Sequence, residues 1–137
     1  MATTFTKILI HFVFSTKNRE PTILPAIEGA LHTYMVGIVR AYDSWTLAIN
    51  GTTDHVHLLI SMSKKITVID LMENVKKDSS KWIKTQSNAH RGFGWQDGYA
   101  GFSIGESGVE ALTRYIDNQK EHHRKMTFKE ELIMLLE

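Results

Sequence analysis

The sequence predicts an α+β fold built on a four-stranded antiparallel sheet, with elements in the order β-α-β-β-α-β followed by two further helices. Three observations carry this prediction. Two long stretches with apolar residues at helical spacing are interleaved with short β-branched and aromatic runs. A tight-turn dipeptide joins the second and third of those runs. With 137 residues, 42% of them hydrophobic, the chain suits a single domain, residues 1–137, with one sizeable core.

Taken in order, Thr6–Ser15 is rich in Ile, Phe and Val and reads as the first strand, broken by Lys17-Asn18-Arg19-Glu20-Pro21. Pro25 suits the first turn of a helix running to about Tyr42, in which Ile27, Leu31, Tyr34, Met35, Ile38 and Val39 recur at helical spacing. Trp45–Ile49 and His55–Ser61 read as strands two and three, with Asn50-Gly51 as the hairpin turn. Thr67 is placed to cap a helix reaching about Gln86, with Val68, Leu71, Met72, Val75, Trp82 and Ile83 as its apolar seam. Ser87–Gly98 is a polar, Gly-rich loop, and Tyr99–Ile104 a short fourth strand. Ser107 is expected to cap a helix to about His123, with Val109, Leu112 and Ile116 facing inward. Thr127 and Glu130 have the spacing of a capping box that opens a last helix. This is the ferredoxin-like βαββαβ arrangement, with helices expected on one face and the other face open to nucleic acid or a second subunit.

Composition excludes several chemistries. There is no Cys, hence no disulfide, thiolate metal site or Cys nucleophile. The net charge is only +1, so any nucleic-acid surface must be a local basic patch. No apolar run approaches the roughly 18 residues of a membrane span. Met1–Lys7 lacks the pattern of a secretory signal, so a cytoplasmic location is expected. No Walker P-loop, G-x-S-x-G or H-E-x-x-H motif is present.

The sharpest local feature is His55-Val56-His57. On a strand, residues i and i+2 leave the same face, so two imidazoles about 6–7 Å apart at Cα can converge on one ion. The plainer alternative is two hydrogen-bonded histidines that happen to alternate. Tyr115 and Gln119 stand at i and i+4 on one helix and share a face. A phenol beside a metal-bound phosphate is a competent nucleophile, and an amide oxygen suits a hard cation. The alternative is a Tyr at a core edge and a solvated Gln.

Candidate DNA contacts are Lys77, Lys81 and Lys84, which share a helical stripe near Lys76, together with Lys17, Arg19 and Arg91 in loops. Trp95, with Phe93 and Tyr99, is placed either to stack on unpaired bases or to close the core. His122-His123 ends the Tyr115 helix, where the dipole favours a cationic ring, and its spacing from Gln119 allows a contact around the metal or with DNA without making it a ligand.

These features together resemble the single-tyrosine HUH transposases of small bacterial insertion sequences, the transposase A, insertion-sequence 200-like type. Four segments carry the resemblance, in order along nearly the whole chain. They are His11–Arg19, Asp54-His55-Val56-His57-Leu58-Leu59, Phe93–Tyr99 followed by Phe102-Ser103, and Tyr115–His123. The resemblance implies Mg²⁺ or Mn²⁺ held by His55, His57 and Gln119. It implies that Tyr115 attacks single-stranded DNA, keeps the 5′ phosphate as a phosphotyrosine and releases a 3′ hydroxyl, which later rejoins the ends without ATP. It further implies imperfect hairpins as DNA partners, and a homodimer in which the Tyr helix of one subunit can complete the other's site. Two alternatives stand beside it: a domesticated relative acting on palindromic repeats, and a non-catalytic hairpin-DNA-binding protein on the same sheet.

Overall fold

The first strand, β1 (Ile8–Ser15), sends Ile10, Phe12 and Phe14 to one side and Leu9, His11, Val13 and Ser15 to the other, as a pleated strand must. In this computed structural model, which describes residues 3–136, β1 pairs antiparallel with β3 (His55–Met62) and with β4 (Ala100–Ser103). β3 pairs in turn with β2 (Trp45–Gly51), giving the strand order β2-β3-β1-β4 of the expected ferredoxin-like sheet.

Helices α1 (Pro25–Ala41) and α2 (Val68–Lys84) cover the first face. Leu31, Met35 and Val39 of α1 and Leu71, Met72, Val75 and Ile83 of α2 enclose Phe12, Phe14, Val56, Leu58 and Ile60 in one core. Pro25 opens α1, and the Thr67 hydroxyl accepts from the Asp70 amide at 3.1 Å at the start of α2, as expected. Among the described residues no helix is long and apolar enough to cross a membrane.

Three expectations need correction. Asn50-Gly51 is not the hairpin turn: both residues lie within β2, and the turn is Thr52-Thr53-Asp54. Gly51 is needed for close approach instead, since a Cβ there would stand 2.1 Å from the His55 carbonyl oxygen. Gly51→Ala should therefore cost about 2–4 kcal/mol in a urea melt. A loss below about 0.5 kcal/mol would show that the turn relaxes freely.

The second face is not open. Helices α3 (Val109–Asp117), α4 (Gln119–His122) and α5 (Phe128–Leu136) return over it. The predicted seam of Val109, Leu112 and Ile116 is real, and it finds its apolar partners in Leu59 and Ala48 of this same chain. Burying that stripe in cis covers the face that the βαββαβ arrangement alone would leave open.

The helix expected from Ser107 to His123 is divided. Ser107 lies in a 3-10 turn, Glu106–Gly108, and α3 begins at Val109 without a side-chain cap. The helix breaks at Asn118 (φ −98°, ψ 20°). There the Asn50 side-chain amide donates to the freed Asp117 carbonyl at 3.0 Å, and Lys120 donates to Asn50 Oδ1 at 3.2 Å. Strand β2 thus holds the break over the sheet.

Candidate active site

His55 and His57 leave β3 on the second face and are fully buried, while Val56 between them enters the first core. Each ring has its Nδ1 engaged from behind. His55 Nδ1 lies 2.7 Å from Asp54 Oδ1 and 2.9 Å from the Thr52 hydroxyl. His57 Nδ1 lies 2.8 Å from Nε2 of His11, which comes from the neighbouring strand β1. Both Nε2 atoms therefore point forward into the space beneath α3–α5.

Four groups meet them there. Gln119 Oε1 accepts at 3.2 Å from His55 Nε2, and Gln119 is completely buried. The Tyr115 ring stands edge-on to His57 at 6.0 Å and stacks on His122 at 4.4 Å. Glu131, from α5, puts Oε1 at 2.8 Å from His57 Nε2 and 2.9 Å from His123 Nε2, with His55 Nε2 at 3.4 Å. Its Oε2 accepts from the Tyr115 hydroxyl, and from Gln119 Nε2 at 2.9 Å. The predicted set His55, His57, Tyr115 and Gln119 is thus brought together within one chain. The division at Asn118 does not disturb it, because Tyr115 and Gln119 still face the same way across the break.

Two members were not expected. Glu131 is fully buried, and His123, given no ligand role from sequence, completes a group with His55, His57 and Glu131 whose ligand atoms all lie within 4.8 Å of one another. The signal for Glu131 was there once the capping box fixed the register of α5. Phe128, Glu131, Leu132 and Leu135 fall on one helical stripe, and a lone acid on an apolar stripe marks a buried carboxylate. The capping box itself forms in both directions, Thr127 N to Glu130 Oε1 at 3.0 Å and Glu130 N to Thr127 Oγ1 at 3.2 Å. His11 opened a family-like segment, but only strand pairing sets it beside His57.

The electrostatics follow from this enclosure. Burial opposes charge on His55, but hydrogen bonds to Asp54 and Glu131 outweigh it and push its pKa up to about 9. Burial, with His57 adjacent, lowers His11 to about 4 and keeps it neutral, free to donate to His57 Nδ1 or to accept from it. His57 is likewise lowered, chiefly by burial. The Tyr115 phenol is raised well above its ordinary value by burial and by its bond to the Glu131 carboxylate. The His and Tyr groups hold that carboxylate far below the usual range against its own burial. The Asp54 and Glu131 carboxylates thus favour positive charge on His55, while burial opposes it on His57.

This donor set fits a divalent cation. With Asp54 accepting from Nδ1 of His55 and His11 able to accept from Nδ1 of His57, loss of the Nε2 protons would turn both Nε2 lone pairs toward a metal, oriented by groups behind them. Gln119 and Glu131 supply hard oxygens, as Mg²⁺ or Mn²⁺ requires.

A cavity of about 1040 Å³ opens beside the cluster. His123 and Phe128 line it, with the bases Arg19, Lys120, Arg124 and Lys125 set against the acids Glu28, Asp54 and Glu130. Arg19, one of the predicted DNA contacts, stands in the left-handed backbone region (φ 54°). Its amide donates to the Thr16 carbonyl at 2.9 Å, which holds that turn in place. Lys120 is partly committed to Glu28 at 2.6 Å.

The other predicted DNA contacts are not gathered here. Lys17 is exposed in the turn preceding Arg19, and Arg91 is exposed in the loop after α2. Lys77, Lys81 and Lys84 are exposed on α2, which covers the opposite face of the sheet. Lys76 donates to the Gln96 and Gly98 carbonyls, both at 2.7 Å, and so ties down the Gly-rich loop. Trp95 donates to Ser79 Oγ at 3.0 Å and packs edge-on against Phe14 and Phe93, which closes the core in the way its alternative reading held.

The family model described as "Transposase IS200 like" matches residues 4–119. A crystal structure of a candidate transposase from Deinococcus radiodurans R1 superposes with a TM-score of 0.68 at 19% identity, covering 87% of this chain and 95% of that one. A REP-associated tyrosine transposase bound to a REP hairpin superposes with a TM-score of 0.67 at 14% identity, covering 90% of this chain and 73% of that one. No individually curated protein matches the chain. The two structures establish a shared fold; with the family match spanning most of its length, this chain belongs to the IS200-like transposase family.

Proposed function

We propose that the chain cleaves and rejoins single-stranded DNA at insertion-sequence ends through a 5′-phosphotyrosine intermediate, with a divalent cation and without ATP. The observation that carries this reading is the meeting of the Tyr115 hydroxyl, two imidazole Nε2 atoms and the Gln119 amide around one buried point beside an open cavity.

His55 and His57 would hold Mg²⁺ or Mn²⁺ through Nε2, and Gln119 through Oε1. When bound, the cation supplies charge that neutralises and orients the scissile phosphate. Tyr115 Oη would give up its proton along its hydrogen bond to Glu131 Oε2 as it attacks phosphorus; its bond to phosphorus forms as the bond to the 3′ oxygen breaks, and the departing oxygen takes up a proton in return to leave as a 3′ hydroxyl. The phosphotyrosine keeps the ester bond, so attack by a 3′ hydroxyl rejoins the strand with no external energy source. An unpaired strand bends into such a site where a stacked duplex resists. Arg19, Arg124 and Lys125 line the cavity where phosphates would run.

The likeness to a protein that holds a REP hairpin supports hairpin DNA as the form bound, and equally a domesticated role on palindromic repeats. Inverted repeats flanking the gene separate those two. A homodimer belongs to the same proposal; because the four groups meet within one chain, each subunit would carry a site of its own.

The test is covalent capture. A hairpin oligonucleotide labelled at its 3′ end should become protein-linked in Mn²⁺ and migrate with the chain in denaturing detergent, and excess chelator should abolish the band. Binding without any adduct in Mn²⁺ would select the non-catalytic hairpin binder.

A further inference from the structure

Glu131, on α5, lies twelve residues beyond Gln119, the last residue matched by the family model. It is nonetheless the most connected side chain in the site. One oxygen faces His57, His123 and His55, and the other faces Tyr115 and Gln119. We propose that Glu131 is a protein ligand of the divalent cation, so that helix α5 is fastened over the active site through the metal. This rests on the metal-dependent reading above.

Three observations support it. First, spacing: metal–ligand distances of about 2.1 Å at right angles put neighbouring ligand atoms about 3.0 Å apart. Glu131 Oε1 is 2.8 Å from His57 Nε2 and 3.4 Å from His55 Nε2, and that nitrogen is 3.2 Å from Gln119 Oε1. These separations match the edges that such a shell would have. Second, donor type: Glu131 Oε1 sets a buried anionic oxygen against the Nε2 atoms of His55, His57 and His123, one oxygen and three imidazole nitrogens within 4.8 Å of one another, a donor set that suits a shared cation. Third, the hold on α5: Ile133, Met134 and Leu136 are exposed, so apolar burial secures this helix only in part, through Phe128 against the His55 ring at 4.6 Å and through the half-buried Leu132 and Leu135. Its one fully buried group is the Glu131 carboxylate. His123, on the same oxygen, orients it.

Four protein ligands leave two of the six positions of Mg²⁺ or Mn²⁺ for phosphate oxygen or water. An added carboxylate also raises affinity for the free cation, so the enzyme would be charged with metal before DNA arrives.

The experiment is titration calorimetry of the full chain with Mn²⁺ alone, on the wild type and on Glu131→Gln and His57→Ala, together with amide exchange of α5 with and without Mn²⁺. Gln keeps the shape of Glu and can still accept from Tyr115, which favours folding. Glu131→Gln should weaken Mn²⁺ binding at least about tenfold. Mn²⁺ should slow exchange over Phe128–Leu136 in the wild type, and less or not at all in Glu131→Gln. Equal affinity in Glu131→Gln while His57→Ala loses binding overturns the proposal and leaves the metal-dependent reading intact. Faster exchange of α5 on adding Mn²⁺ to the wild type also overturns it, since the carboxylate is then displaced by metal, and this holds even if Glu131→Gln fails to fold. A wild type that binds no Mn²⁺ overturns the metal-dependent reading itself, and the proposal with it.

Discussion

Tyr115→Phe is expected to abolish the covalent adduct and to reduce strand cleavage by about 10⁴-fold or more, the scale on which losing a nucleophile acts. The substitution removes one oxygen and leaves the ring, which keeps its stacking on His122 at 4.4 Å and its edge contact with His57 at 6.0 Å. Glu131 Oε2 loses the phenolic donor but retains Gln119 Nε2 at 2.9 Å, so no buried acceptor is orphaned. Stability should therefore change by only about 1 kcal/mol, and hairpin affinity should stay within a few-fold. The measurement is a single-turnover assay on a 3′-labelled hairpin with binding followed in parallel. Nicking that survives in Tyr115→Phe would mean that water attacks and that the site is hydrolytic.

His57→Ala is the second large effect. It should lower cleavage about 10³-fold, the range of losing a principal electrostatic group at the reacting centre, with hairpin binding near normal. The ring is enclosed between His11 and Glu131, so its removal opens a cavity and takes a partner from each. Glu131 Oε1 keeps His123 at 2.9 Å, which limits the stability cost to about 1–3 kcal/mol. A stability melt, a gel shift and a cleavage rate on one preparation separate the outcomes. If binding falls as steeply as cleavage, the imidazole is a structural group and the metal role fails.

Both effects depend on a site whose parts were legible to different degrees. His55-Val56-His57 was readable because a strand has a period of two, and this alone places both imidazoles on one face and Val56 in the core. Tyr115 and Gln119 were readable for the same kind of reason, a helical period that survives the break at Asn118. His11 required strand pairing between β1 and β3, a contact across 46 positions that no local pattern encodes. The turn falls two residues later than Asn50-Gly51 for a related reason. Asn50-Gly51 has the local chemistry of a turn, but the pairing of Gly51 with Val56 draws it into the ladder, where its missing Cβ serves the close approach to His55.

By itself the sequence determined the order of elements, the identity of the two helical seams and the residues that could bear chemistry, because each follows from spacing along a few turns or a few pleats. Tertiary structure alone decided that the second face is covered by this chain's own helices, that the lysines of α2 lie away from the histidines, and that a carboxylate from the last helix sits among them. The physical reason is that apolar burial is non-directional: a stripe on α3 or α5 specifies that it must be covered, and only the assembled sheet determines by what.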